Sequence, residues 1–248
     1  MIFTVLTLFP DFFLSPFQTS ILKRAIRHRK IQINIVNIRD FAEGKHKVAD
    51  DAPYGGGRGM VMKPEPVIKA IQHVKAKATQ AWTILLSPQG RRFDQLVAQE
   101  LSQKPHLVFV CGHYEGVDER VKYFIEDEIS LGDFILTGGE PAALCIIDAV
   151  ARLVPGVVGK PQSVEEESFT IGLLEYPQYT RPSTYAGHKV PEILLSGHHQ
   201  RIAQWRRRQA LLRTLLLRPD LLSQAELTKE DKEFLRKICQ EILKDVEH

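Results

Sequence analysis

Apolar segments of strand length alternate with segments of helical periodicity from the start of the chain to about residue 153. The apolar runs Ile2–Phe9, Ile31–Ile38, Trp82–Leu86 and Leu107–Val110 predict buried strands. Helices are predicted at Ile21–Arg29, Glu65–Lys77, Phe93–Leu101, Val117–Ile125 and Ala142–Leu153, with a further short apolar segment at Phe134–Leu136. Alternating strands and helices favour parallel pairing, because a helix can cross over between neighbouring strands. We therefore predict an α/β fold to about Lys160, with helices on both faces of the sheet.

The pattern changes after residue 160. Residues 161–175 are acidic and aperiodic, which predicts a flexible linker. Beyond the linker only helical patterning is found, and Ile202, Trp205, Leu212 and Leu216 are predicted to mark one helix face. The predicted organisation is an α/β domain at 1–160, a linker at 161–175 and a small all-α domain at 176–248.

Cysteine spacing and hydropathy indicate the class of protein. Cys111, Cys145 and Cys239 are odd in number and widely separated, which argues for reduced thiols and against a disulfide framework or a structural zinc site. No apolar run approaches the roughly 18 residues that a bilayer span needs. The first ten residues lack the basic start of a signal peptide. These features predict a soluble, cytoplasmic protein.

Positive charge is concentrated towards the end of the chain. Residues 176–248 carry 13 Lys+Arg against 9 Asp+Glu, whereas the preceding residues carry 20 against 21. Within Arg201–Arg218 there are six arginines, one tryptophan and no acidic residue. A basic helix face is often only a solvated surface, but arginine without a neighbouring carboxylate favours phosphate binding.

Three glycine-containing segments follow predicted apolar segments, at Ser87–Gly90, Gly112–Gly116 and Thr137–Pro141. In an open α/β sheet, ligands bind beyond the carboxyl ends of the strands, and glycine lets the backbone approach a flat ligand. Each segment alone is also compatible with an ordinary turn, but three in succession favour a small-molecule site. The chain lacks the dinucleotide-binding, P-loop, serine-elbow and zinc-protease motifs.

A fourth glycine-rich segment, Asp50–Met60, is either a plain flexible loop or a surface for a large partner. In the second case Gly57 and Gly59 would allow close approach, and Arg58 would contact a phosphate. Spacing alone leaves both interpretations open.

Five motifs in this order resemble those of one family. They are Pro53–Met60, Leu86–Gly90, Cys111–Arg120, Gly132–Glu140 and Tyr179–Pro182. The chain resembles the bacterial tRNA (guanine-N1)-methyltransferase (TrmD) family from its first strand to its last helix. The resemblance implies methyl transfer from S-adenosyl-L-methionine to N1 of the guanine at tRNA position 37, next to the anticodon.

The resemblance also implies a deep trefoil knot of the SPOUT class and a homodimer whose active sites are shared between chains. It places the methyl donor in the knot loops, at Leu86, Ser87, Pro88, Gly112, Tyr114, Glu115, Ser130, Leu131, Gly132, Asp133, Phe134, Ile135, Leu136, Gly138 and Gly139. Candidate tRNA contacts are Gly57, Arg58, Gly59, Arg206, Arg207 and Arg208. Magnesium dependence is a family trait, but the sequence indicates no ligand set for a metal.

The resemblance assigns catalysis to Arg152 and Glu167. Guanine N1 must lose a proton to become nucleophilic, and a carboxylate can accept it. A guanidinium can then stabilise the negative charge that develops on O6. Two residues depart from the family pattern, since Glu167 stands where aspartate is typical and His113 where arginine is usual.

Two alternatives stay open at this point. One is another SPOUT methyltransferase that acts on rRNA or on ribose, and the other is a non-catalytic RNA-binding protein with the same fold. The Gly55–Met60 loop and the Tyr179–Pro182 motif favour the tRNA enzyme over the first. Arg152 and an acidic residue at 167 argue against the second.

Overall fold

The computed structural model describes residues 1–159, 168–169 and 172–246. The chain divides into two compact units, Met1–Pro161 and Gln162–His248, which we treat separately. Strands of the first unit are β1 (Ile2–Thr7), β2 (Gln32–Asn37), β3 (Asp50–Asp51), β4 (Val61–Met62), β5 (Ala81–Arg92), β6 (His106–Cys111) and β7 (Asp127–Ser130). Its α-helices are α1 (Ser20–Arg27), α2 (Pro64–Lys77), α3 (Gln95–Ser102) and α4 (Glu140–Leu153). Short 3-10 helices lie at Pro10–Phe13, Pro16–Gln18, Ile38–Phe41 and Glu119–Phe124.

Five strands form one parallel sheet in the order β2–β1–β6–β5–β7. The strands β3 and β4 form a separate antiparallel pair. This confirms the predicted α/β class with a parallel sheet. Because all five strands run in one direction, their carboxyl ends lie at one edge.

The sheet is buried on both faces, as its apolar strands require. Leu107 and Phe109 of β6 pack into one cluster with α1, α3 and α4, whereas the alternating residues Val108 and Val110 pack into a second cluster with α2. All six residues of β6 are buried. Continuous apolar strands of this kind are typical of parallel sheets covered on both sides.

One predicted element of this unit was wrong, and one strand of the main sheet was not predicted. The predicted helix at Val117–Ile125 is a 3-10 helix at Glu119–Phe124, and the fifth strand of the sheet, β7, was missed. Of its four residues two are acidic, and the carboxylate of Asp127 accepts hydrogen bonds from Arg91 of the neighbouring strand. Because these acidic residues replace apolar ones, a search for apolar runs does not detect the strand. The apolar segment Phe134–Leu136 is instead exposed in a loop.

The second unit is mainly helical, with α5 (Glu192–Leu195), α6 (His199–Leu217), α7 (Lys229–Val246) and a 3-10 helix at Pro219–Ser223. It is not all-α as predicted, because β8 (Thr184–Tyr185) and β9 (His188–Lys189) form a short antiparallel hairpin. The two turn residues, Ala186 and Gly187, both have positive φ angles, which suits the tightest hairpin turn.

The buried face of α6 also differs from the prediction. Ala210, Leu211 and Thr214 are buried, whereas Leu216 is 62% exposed. Thr214 Oγ1 accepts a hydrogen bond from Leu174 N and donates one to Ala210 O, so this face is fixed by the chain that precedes the hairpin. The predicted face was defined by apolar residues alone, so it did not include the buried Thr214.

Arg207, which the sequence analysis gives as a candidate tRNA contact, is paired within its own unit. Its Nη2 lies 2.8 Å from Asp231 Oδ2 and also donates to the carbonyl of Glu226. Asp231 is only 6% exposed, and it also accepts a hydrogen bond from the backbone N–H of Thr228, the residue before α7. The carboxylate that balances Arg207 therefore comes from the next helix.

We predict that Arg207→Ala destabilises the protein by about 1–3 kcal/mol, because it leaves the buried Asp231 carboxylate without its cation. Chemical denaturation with a probe in the second unit measures this. Arg208→Ala is the matched control, since Arg208 is exposed and stacks on Phe234. Equal losses in both variants would contradict the structural role of Arg207.

The same pair predicts a pH effect. Burial raises the pKa of Asp231, but the hydrogen bonds from Arg207 and Thr228 together lower it by more, so the pKa lies below its usual value. The pair then stabilises the fold above the ordinary aspartate pKa, and this contribution is lost as the pH falls through the lowered pKa. In Arg207→Ala, the free energy of unfolding should therefore fall less as the pH is lowered through this range than it does in the wild type.

Candidate active site

The strands β6, β5 and β7 are neighbours in the sheet. The loops that follow β6 and β7, together with an irregular segment inside β5, line one cavity of about 470 Å³. The lining includes residues from all three glycine-containing segments of the sequence. The order of strands in the sheet, which the sequence does not reveal, is what brings these segments together.

The first segment, Ser87–Gly90, interrupts β5. Pairing between β5 and β7 shifts register between Leu86 and Arg91, so the four residues between them form a bulge at the sheet edge. A side chain at Gly90 would collide with the backbone of Glu128 and Ile129. Glycine is therefore required here for two backbones to approach each other.

The second segment, Gly112–Gly116, is a tight turn after β6. The N–H of Gly116 donates to the carbonyl of His113, and Tyr114 has a φ of 60°. A positive φ is unfavourable for tyrosine, and such strain is concentrated at functional positions. The turn places a half-exposed aromatic residue in the cavity lining.

The third segment joins the end of β7 to α4. The N–H of Gly139 donates to the carbonyl of Gly112 at 2.9 Å, and a Cβ on Gly139 would lie 2.7 Å from Cys111 Cα. A side chain at Gly138 would collide with the ring of His113. The two glycines thus let the third segment lie directly against the second.

A buried carboxylate holds these segments to the end of β1. Glu140, the first residue of α4, is 2% exposed and accepts a hydrogen bond of 2.6 Å from Thr7 Oγ1. Its second oxygen lies 3.2 Å from His113 Nε2, and the His113 ring packs on Phe9 with centroids 4.6 Å apart. His113, which the sequence marks only as a departure from the family pattern, therefore joins three parts of the site.

The structure brings most of the predicted methyl-donor residues to this cavity. Those that line it are Leu86, Ser87, Pro88, Gly112, Tyr114, Glu115, Ser130, Leu131, Gly132, Phe134, Ile135, Leu136, Gly138 and Gly139. Asp133 is exposed and does not line it. Glu128 and Lys122 also line the cavity and were not predicted. The site was located from glycine-containing motifs in the sequence, and neither of these charged residues lies in one.

The glycine-rich loop at Asp50–Met60 is anchored beside the second segment. Met60 O accepts from Glu115 N at 3.0 Å, and Met62 N donates to Gly116 O at 2.9 Å. A side chain at Gly59 would collide with that of Glu115. Gly57, Arg58 and Gly59 are exposed next to the cavity, without lining it.

Of the two predicted catalytic residues, Arg152 does not line this cavity. Arg152 lies in the last turn of α4, whereas Glu140 begins that helix. The cavity lining extends along this helix to Ala142, and a rise of about 1.5 Å per residue places the Cα atoms of Ala142 and Arg152 roughly 15 Å apart, which exceeds the length of an arginine side chain. Glu167 lies outside the described residues, as do its neighbours Glu165 and Glu166.

The remaining predicted contacts belong to the second unit. Arg206 and Arg208 are exposed on α6, whereas Arg207 pairs with Asp231. Across 1–159, 168–169 and 172–246, no group of three or more His, Cys, Asp or Glu side chains is arranged to hold a metal ion. The same residues include no helix that is long and apolar enough to cross a membrane.

Residues 1–224 match the family model of tRNA (Guanine-1)-methyltransferase TrmD. The chain belongs to this family. It is 55% identical to a tRNA (guanine-N(1)-)-methyltransferase of Dictyoglomus turgidum, with 98% of each chain covered. It is 60% identical to the protein of that name from Carboxydothermus hydrogenoformans, with 92% of this chain and 90% of the relative covered. A relative of the same name from Caldanaerobacter subterraneus is 57% identical, with 98% of this chain and 100% of the relative covered.

Membership in the TrmD family confirms the resemblance inferred from the five motifs. It also relates the cavity to a reaction class, because a methyltransferase needs a site for its methyl donor. Residues from all three glycine-containing segments meet in this cavity, which makes it the candidate for that site.

We predict that Glu140→Ala lowers stability by about 1–3 kcal/mol, because Thr7 and His113 lose a buried acceptor. The second and third segments should also separate, which would widen the cavity and weaken donor binding. Thermal unfolding and titration calorimetry with S-adenosylmethionine measure the two effects. Glu65→Ala is the matched control, since Glu65 also lies in the first turn of a helix but is exposed.

Loss of stability without loss of donor affinity would mean that Glu140 supports the fold alone. Identical behaviour of the Glu140 and Glu65 variants would contradict both parts of the prediction.

Proposed function

We propose that this protein transfers the methyl group of S-adenosyl-L-methionine to N1 of the guanine at position 37 of tRNA, next to the anticodon. The observation that carries the proposal is the convergence of the three glycine-containing segments on one cavity in a member of the TrmD family. The tRNA substrate follows from the family, and the exact guanine from the motif resemblance.

The cavity suits the proposed donor. Its volume of about 470 Å³ lies within the range of small-molecule sites. Its glycines let the main chain come close to a flat adenine ring, and Tyr114, Phe134 and Ile135 add apolar surface. Glu128 Oε1 is buried and has no hydrogen-bond partner among the described residues, so a ligand hydroxyl or amino group could satisfy it.

We assign the donor site to the segments that begin at Leu86, Gly112 and Ser130. When bound, S-adenosylmethionine supplies an electrophilic methyl group on a positively charged sulfonium. The chain's own groups hold the donor through backbone contacts and exclude water through the apolar lining. Asp133 is the predicted donor residue with the least support, because it is exposed outside the lining.

The chemistry on guanine is assigned to Glu167 and Arg152. Glu167 accepts the proton from N1, which turns that nitrogen into a nucleophile. Arg152 stabilises the negative charge that spreads to O6. The glutamate reaches one methylene further than the aspartate usual in the family.

The position of Arg152 supports a homodimer with shared active sites. Arg152 does not line the cavity, and its Cα lies roughly 15 Å along α4 from that of the lining residue Ala142, which is more than an arginine side chain spans. A second copy whose α4 ends near this cavity would supply it. The trefoil knot of the SPOUT class and magnesium dependence rest on the family resemblance alone.

The two units take different roles in this proposal. The first unit holds the donor, and its Gly57–Gly59 loop approaches the nucleic acid beside the cavity. The second unit binds the tRNA backbone, for which the exposed Arg206 and Arg208 are better placed than Arg207. This assignment places the reaction in the cytoplasm, where tRNA is found.

Transfer of labelled methyl groups tests the reaction. We expect label in a tRNA transcript with G at position 37, and at least a roughly 100-fold slower reaction when A replaces it, because adenine has no N1–H to donate to Glu167 and presents an amino group to Arg152 in place of O6. Label in ribose or in rRNA would favour another SPOUT methyltransferase. Binding of tRNA without any transfer would favour a non-catalytic RNA-binding protein.

Substitution at Glu167 tests the proposed base. Glu167→Gln preserves size but cannot accept a proton, so single-turnover transfer should slow by roughly 10²–10⁴-fold with donor affinity unchanged. Glu165→Gln and Glu166→Gln are the controls and should retain most activity. Glu167→Asp should also remain active. A larger loss at Glu166 than at Glu167 would assign the base to Glu166.

A further inference from the structure

A second cavity lies entirely within the second unit. It has a volume of about 370 Å³ and is built by the segment from Tyr176 to Ser183, by the chain around α5 and by the first half of α6. The Tyr179–Pro182 motif, to which the proposed function gives no role, contributes part of its wall. Every lining residue belongs to this unit.

Aromatic and apolar groups form much of the cavity surface. Tyr179 is 48% exposed, and its ring centroid lies 6.4 Å from that of Trp205. Tyr176 lies beneath the guanidinium of Arg206, whose Cζ is 4.8 Å from the ring centroid. Leu194 and Leu195 add aliphatic surface, and Leu195 is largely exposed. Exposed aromatic faces of this kind suit a flat ligand.

The charge at the cavity has one sign. Its lining contains two arginines, Arg181 and Arg206, and no carboxylate side chain. Both arginines are exposed, so their donors are accessible to an anion. Planar guanidinium groups bind phosphate through paired hydrogen bonds.

From these features we infer that the second cavity binds an unstacked nucleobase of the tRNA, with an adjoining phosphate on Arg181 or Arg206. The inference rests on the proposed function, which provides the nucleic acid. Proteins that bind single-stranded RNA stack its bases on aromatic rings and arginine planes and neutralise the backbone with basic residues. The cavity combines both features within a volume that would not admit a duplex.

The binding partner is a base from an unpaired stretch of tRNA. Bases within paired stems are stacked and closed to side chains, so only loops and ends can supply one. The Arg181 and Arg206 charges would then add an affinity that weakens with salt, whereas the stacking contribution would not.

The test measures tRNA binding by variants of one exposed tyrosine. In Tyr179→Leu we expect the dissociation constant of an unmodified G37 transcript to rise about 5- to 50-fold, since stacking on an aromatic ring is lost. Tyr179→Phe keeps the ring and should bind within about twofold of the wild type. Tyr185→Leu is the matched control, because Tyr185 is 76% exposed in the same unit and lies outside the cavity.

A second measurement identifies the base. Transcripts that carry one abasic nucleotide at each unpaired position are titrated with wild type and with Tyr179→Leu. At one position the abasic change should weaken binding to the wild type and have little further effect on the variant. Additive losses at every position would overturn the inference.

Three outcomes distinguish failure of base binding from failure of the proposed function. If Tyr179→Leu and Tyr185→Leu bind alike while the wild type methylates tRNA, base binding at the cavity fails and the proposed function stands. If the wild type itself transfers no methyl to tRNA, the proposed function fails. A Tyr179 variant that changes oligomeric state with tRNA affinity unchanged would assign the cavity to a protein contact and overturn base binding.

Discussion

Parallel pairing of β6, β5 and β7 is the constraint on which the candidate site depends. The strands of a parallel sheet all run in one direction, so the segments at their carboxyl ends lie at the same edge of the sheet. The adjacency of these three strands then places loops that are separated by as many as about 50 residues of sequence around one cavity. The central strand, β6, is buried on both faces, which fixes its position and that of the Gly112–Gly116 turn that follows it.

The buried Glu140 carboxylate extends this constraint beyond the sheet. It joins the end of β1, the first turn of α4 and the turn after β6 through Thr7 and His113. A carboxylate at a helix N-terminus is favoured by the unpaired N–H groups there, which offsets the cost of its burial. The imidazole of His113 meets this carboxylate through its Nε2.

Much of the fold could be predicted from the sequence, because apolar periodicity records which residues are buried. The strands β1, β2, β5 and β6 and the helices α1 to α4 all lie near their predicted ranges. The edge strand β7 was not predicted, because its first two residues are acidic and Asp127 pairs with Arg91 instead of packing in the hydrophobic core. The second unit was harder, since Thr214 and Arg207 make its key contacts through hydrogen bonds that a hydrophobic pattern does not record.

The candidate site could be located from glycine motifs but not assembled from them. Proximity of Gly59 to Glu115 and of Gly139 to Cys111 depends on tertiary packing alone. Likewise, the arginines of α6 look equivalent in sequence, yet Arg207 pairs with Asp231 while Arg208 is exposed. In both examples, the role of a residue depends on neighbours that are close in space but distant in sequence.

The close backbone approach at Gly90 and Gly139 makes the site unevenly tolerant of mutation. At these two positions even a methyl group would meet the main chain of another segment, which cannot rotate away as a side chain can. At Ile135 or Phe134, by contrast, the side chains are exposed, and a change of size has room to be accommodated. Attempts to reshape this cavity for a bulkier donor should therefore begin at the exposed rim and keep the glycines unchanged.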